Sequence, residues 1–143
     1  MREILFRGKR LDNGEWVEGW YQPETTIKHW DGIQETVGVT IAYKAEDGFL
    51  EDTLVDPSTV GQYTGLTDKN GKRIFEGDIV KTSDITHEGV IQIPGESFEI
   101  AMRKGCWLMV SGEDWDFLET NHECIKVIGN IHDNPELLKG GEG

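Results

Sequence analysis

Apolar and polar residues alternate along most of this chain, and that period predicts strands far more often than helices. Glu3 to Arg7 and Glu15 to Tyr21 flank Asp12-Asn13-Gly14 and read as a hairpin. In its second strand Trp16, Glu18 and Trp20 share one face, while Val17, Gly19 and Tyr21 share the other. Both faces carry large apolar groups, so the pattern does not say which one is buried. Val37, Val39, Ile41 and Tyr43 make a single apolar face opposite Thr36, Gly38, Thr40 and Ala42. Glu46-Asp47-Gly48 then turns the chain into Phe49 to Val55, which Asp56-Pro57 ends.

The densest run of positional constraint is Val60 to Val80, VGQYTGLTDKNGKRIFEGDIV. Gln62 to Leu66 predicts a short strand with Tyr63 supplying a large buried face. Asp68-Lys69-Asn70-Gly71 follows, and its Asn-Gly pair predicts a type I′ turn, with positive φ at both central residues. Lys72 to Phe75 returns antiparallel, and Gly77 suits a position where a Cβ would clash. Ile79 and Val80 begin the next strand.

The second half reads as a meander. Gly89 to Ile93 predicts a short strand, and Phe98, Ile100 and Met102 form an apolar face with Glu99 and Arg103 pointing away. Cys106 to Val110 is apolar on both faces, as in a central strand. Asp114 to Glu119 is a candidate for a turn of helix confined by Gly112 and Asn121, and Ile125, Val127 and Ile131 alternate again. Asp133-Asn134-Pro135 offers an N-cap and a first-turn proline for one helical turn, Glu136 to Lys139. The fold class expected is mainly β. An N-terminal antiparallel β region fills 1–66 and an SH3-like β-barrel 67–139, with a short C-terminal helical turn and a disordered tail at 140–143. A single compact domain is the alternative.

GQYTGLTDKNGKRIFEGDIV, with IKVIGNIHDNPELL near the C-terminus and the opening REILFRGKRLDNGEWVEGWY, resembles the YopX family. These stretches fall at the start, middle and end of the chain, whereas Tyr21 to Thr59 and Lys81 to Glu123 carry little family signature. The resemblance implies a mainly β protein encoded by phages or prophages. It implies no established activity and brings no catalytic residues with it.

With 143 residues the chain suffices to bury about two thirds of its unfolded surface. Five Trp, five Phe and three Tyr argue against disorder although apolar residues are only 36%. The formal charge of −13 changes the picture most. Sequence-independent nucleic-acid binding needs clustered Lys and Arg to displace counterions. Here 14 basic residues face 27 acidic ones, and basic residues group only in short runs such as Lys72-Arg73 or Arg103-Lys104. Direct nucleic-acid binding and anionic membranes are therefore disfavoured as partners. The N-terminus lacks the apolar core of a signal peptide, and no apolar run reaches the length of a membrane span, so the expected location is the bacterial cytoplasm. Cys106 and Cys124 sit among apolar neighbours in predicted strands, which favours buried free thiols, with a single disulfide left open.

Candidate chemistry is sparse. Glu113, Asp114, Asp116, Glu119, His122 and Glu123 form the densest polar cluster, but they lack the spacing of a calcium loop and read better as a solvated connection. His29, His87, His122 and His132 show no zinc-helix spacing, and His122 beside Cys124 shares a strand face without implying a thiol nucleophile. Ser58, Ser83, Ser97 and Ser111 lack a nucleophile elbow. Turn chemistry accounts for Asp68 and Asn70 without a ligand. Trp16, Trp20 and Trp30 could form an aromatic platform, but core or subunit packing is the favoured reading. No catalytic, cofactor-binding or metal-ligating residue is therefore assigned, and no cofactor is expected. The leading expectation is a non-enzymatic phage or prophage accessory protein acting through protein contacts, as a homo-oligomer or with a host or phage protein. An acidic nucleic-acid mimic that occupies a host protein is second, and a metal-assisted hydrolase using the Glu113 to Glu123 cluster is third.

Overall fold

The computed structural model describes residues 5–82 and 97–142. Among these described residues the protein is mainly β, with two antiparallel sheets, a separate two-stranded hairpin and one short α-helix. The chain divides into two compact units, 1–62 and 63–143.

The first unit contains β1 (Phe6–Lys9), β2 (Trp16–Gln22), β3 (Thr25–Lys28), β4 (Gln34–Val37), β5 (Thr40–Lys44), β6 (Leu50–Leu54) and the start of β7 (Gly61–Thr67). Its sheet runs β6-β5-β2-β1-β7, with Gly61 and Gln62 of β7 opposite Arg7 and Phe6. Burial settles the ambiguity of β2. Val17 and Gly19 face inward, and Val17 joins Ile41 and Val55 in a core flanked by Phe6, Val39, Tyr43 and Val60.

The apolar face expected from Val37 to Tyr43 is split between two strands. Pairing of β2 with β5 stops at Gln22↔Thr40 and resumes at Thr25↔Val37 as the β3–β4 hairpin. Pro23 lies in the gap and has no N–H with which to continue the ladder. Thr40 Oγ1 donates to Gln22 Oε1 at 2.6 Å and pins the base. Beyond it β3 and β4 pair only with each other among the described residues, so Thr25 to Val37 forms an arm.

The second unit contains the rest of β7, β8 (Arg73–Phe75), β9 (Asp78–Thr82), β10 (Ser97–Arg103), β11 (Cys106–Ser111), β12 (Asp114–Phe117), α1 (Leu118–Asn121) and β13 (Ile125–Asn130). Ile74, Val80, Ile100, Met109, Leu118, Ile125 and Val127 form its core, with Leu66, Phe98 and Trp107 packed against it. The five-stranded sheet runs β12-β11-β10-β9-β13. The SH3-like barrel expected here is not found closed among the described residues, because β12 and β13 are opposite edges and do not pair. The strand expected at Gly89 to Ile93 lies outside the described residues. The C-terminal 3-10 helix, Pro135–Glu142, runs past the single turn expected to Lys139 and packs on β10.

Two turns differ from expectation for steric reasons. In Asp68-Lys69-Asn70-Gly71 only Gly71 is left-handed (φ 82°), so the loop is not type I′. Gly71 N donates to Asp68 O and Asp68 N to Lys72 O, the pattern of a type I turn followed by a glycine bulge. The turn with positive φ at both central residues is Lys104-Gly105 (51° and 79°), which joins Arg103 directly to Cys106 across β10 and β11.

Gly77 is required by its backbone (φ 88°) and not by crowding, since a Cβ there would meet its nearest neighbour, Ile131, at an ordinary 3.6 Å. Gly77→Ala is therefore expected to lower stability by about 1–2 kcal/mol from strain alone. Urea unfolding checks this, and a midpoint equal to wild type would show that the loop relaxes freely.

Candidate functional site

The antiparallel register of β10, β11 and β12 decides which side chains meet on the outer face of the second sheet. Leu108 stands opposite Phe117, Val110 opposite Trp115, and Cys106 opposite Arg103. Directly paired residues share a face, so Cys106, Leu108, Val110, Trp115 and Phe117 line one side. Trp107 and Met109 alternate onto the other side, where they join the core. An open groove of about 520 Å³ runs between Arg103-Lys104 at the β10–β11 turn and Glu113-Asp114 at the β11–β12 turn. Trp115 and Phe117 meet edge to face at 5.3 Å and stay 58% and 46% exposed. The groove is apolar along its floor, with cations at one end and carboxylates at the other.

Sequence reasoning missed this surface because the Asp114 to Glu119 segment suggests a turn of helix. Its first four residues, Asp-Trp-Asp-Phe, alternate with period two, which is the strand signal. The helix starts only at Leu118, whose fully buried side chain anchors it to the core. Cys106 to Val110 was expected to be a doubly buried central strand, but among its residues only Met109 is buried, because β11 lies one strand from the sheet edge.

The acidic cluster comes together only in part: Glu119, His122 and Glu123 line one small hollow, while Glu113 and Asp114 line the end of the groove. Glu113 lies in a turn, Asp114 and Asp116 on β12, Glu119 on α1, and His122 and Glu123 in a 3-10 turn (His122–Cys124). Among the described residues no group of three or more His, Cys, Asp or Glu is placed to hold a metal ion. His122 and Cys124 are not on a strand as expected. His122 Nδ1 donates to the Thr67 carbonyl at 2.7 Å, and only a small hollow of about 310 Å³ lies beside the pair. His29 Nε2 lies 3.0 Å from Glu35 Oε2 on the arm, and the His132 backbone N–H donates to Asn130 Oδ1. His87 and Ser83 fall outside the described residues. Ser58 is held by Asp56 in the 3-10 turn Pro57–Thr59, while Ser97 and Ser111 begin β10 and end β11. Both cysteines are free thiols, but Cys106 is exposed and Cys124 half-buried, so neither has the buried position expected.

Asp68 is structural. The residue is 5% exposed, and its carboxylate accepts Asn70 N and Lys72 N on Oδ1 and Val127 N on Oδ2, at 2.8, 3.0 and 2.9 Å. Burial alone would raise its pKa. The N–H groups of Val127, Lys72 and Asn70 outweigh burial and hold it below the ordinary carboxylate value.

The tryptophans expected to pack do not form a common platform. Trp16 is half-buried beneath the Arg7 guanidinium at 4.6 Å, Trp20 is exposed on β2, and Trp30 at the tip of the arm is 99% exposed. No helix among the described residues is long and apolar enough to cross a membrane.

None of the curated proteins matches the chain. The crystal structure of protein EF1440 from Enterococcus faecalis is similar to it, with 26% identity and a TM-score of 0.53, covering 96% of this chain and 99% of that one. The YopX protein family matches residues 5–139, which include every described strand and the turn anchored by Asp68. The chain belongs to the YopX family.

Proposed function

We propose that this YopX-family protein is a phage or prophage accessory protein of the bacterial cytoplasm that works by binding protein and not by catalysis, with a second copy of itself as partner. The observation that carries this reading is the β11–β12 groove. Two large rings stand exposed over an apolar floor at a sheet edge, and aromatic side chains so placed are typical anchors of protein interfaces. Unpaired β edges are commonly covered by another chain.

A photo-crosslinking amino acid in place of Trp115, introduced in living bacteria, is expected to give protein adducts of discrete mass. The same group at the exposed turn residue Asp47 is expected to give none. Absence of any adduct at position 115, or identical adducts at both positions, would overturn the reading.

A further inference from the structure

We infer that the groove receives the tip of the β3–β4 arm from a second copy of this chain, with Trp30 as the inserted side chain. The inference rests on the preceding reading that the groove is a protein-contact surface, and it names what fills it.

Trp30 is 99% exposed and Ile33, in the same loop, 63% exposed. The loop is nonetheless well formed. His29 N donates to Ile33 O, Gly32 N to His29 O, and Ile33 N to Asp31 Oδ1. An ordered turn therefore holds an indole in water on a two-stranded hairpin, an element with little stability of its own. Covering that ring removes apolar surface from water and steadies the arm at once.

The groove matches the tip in chemistry. Its floor is Leu108 and Val110, its wall Trp115 and Phe117, and its volume of about 520 Å³ admits an indole. Trp30 lies between Lys28 on β3 and Asp31 in the turn. The groove lies between the cations Arg103 and Lys104 and the carboxylates Glu113 and Asp114. Asp31 directed to the first pair and Lys28 to the second brings opposite charges together at both ends. Across Thr25 to Val37 only Lys28, Asp31 and Glu35 are charged, giving −1, against −13 for the chain. The arm is thus a segment that can approach another copy with little repulsion.

Direct pairing of two β12 edges does not serve as the alternative contact. The antiparallel registers that pair most of β12 with itself, with Trp115 and Phe117 on one face, set Asp opposite Asp.

The test uses the full chain. By light scattering across micromolar concentrations, wild type is expected to exceed the mass of one chain. Trp30→Ala and Trp115→Ala are each expected to weaken association by roughly tenfold or more. The Trp30 side chain is solvated in the single chain, so its loss should leave unfolding unchanged at protein concentrations low enough for wild type to be a single chain, and urea unfolding at those concentrations checks this. Trp30→Cys under mild oxidation is expected to form an interchain disulfide to Cys106 on the groove wall, identified by peptide mass, and to lose it when combined with Cys106→Ser. A one-chain mass at every concentration overturns the inference, as does an introduced thiol at position 30 that links only to its own counterpart in another copy. If Trp115→Ala dissociates the protein while Trp30→Ala does not, or if the adduct at position 115 is a different protein, the groove remains a contact surface and the arm is not its occupant. If position 115 also yields no adduct, both proposals fall.

Discussion

Replacing Gly19 with alanine is expected to lower stability by about 3 kcal/mol, at the upper end of what overpacking costs. Gly19 faces inward on β2 at the point where pairing with β5 begins, next to Trp20↔Ala42. A Cβ at that position would overlap the backbone carbonyl oxygen of Ala42 and press on Ile41 Cγ2 at 3.0 Å. A carbonyl engaged in a sheet cannot swing aside as the end of a side chain can. The two strands would have to separate, and Ile41 is fully buried in the first unit's core. Gly38→Ala supplies the contrast, because a Cβ there meets only Leu54 Cδ2 at 3.5 Å, and its effect should stay within about 0.5 kcal/mol. Urea midpoints of the two variants check the pair of outcomes. A Gly19→Ala midpoint equal to that of Gly38→Ala would mean the strands part at no cost.

Asp68→Asn is expected to lower stability by about 3 kcal/mol near neutral pH, because it turns an acceptor into a donor against a buried N–H. Asn can still accept from Asn70 and Lys72 through its oxygen. Its amide nitrogen then faces the Val127 N–H, which has lost its acceptor. The link between the β7–β8 turn and β13 would rest on the single Lys69 N to Ile125 O bond. The pH dependence carries a definite sign. A carboxyl whose folded-state pKa lies below its unfolded value contributes stability that is complete above the ordinary value of 3.8 and is lost as pH falls through the lowered value. The gap between wild type and Asp68→Asn should therefore be widest at neutral pH and narrow under strongly acidic conditions. Urea unfolding at several pH values tests this, and a gap independent of pH would show that the negative charge is not what holds the turn.

Both sites show how sequence and structure divide the information. Asp68 was legible as a turn former, since Asp followed by Asn-Gly is a local signal. Its bond to Val127 spans most of the second unit and leaves no mark at either position. Gly19 was legible only as a member of one face. That it must be glycine follows from the carbonyl of a strand that arrives later in the chain. The candidate groove was hidden for a related reason. Leu108 and Val110 read as core residues, as apolar strand positions usually do. They are left half-buried on the outer face beside the edge strand β12, while the C-terminal helix packs on β10.

The sequence by itself determined that this protein is mainly β, where most of its hairpins turn, and that it belongs with the YopX family, because alternation and turn residues act over a few neighbouring positions. The tertiary structure decided which face of each strand is buried, that the second sheet stays open among the described residues, that Pro23 sets the arm apart, and that Trp30, Trp115 and Phe117 face water. Those outcomes depend on which strands lie side by side. Hydrogen bonds and packing between residues far apart in the chain fix that neighbourhood, and no local pattern encodes it.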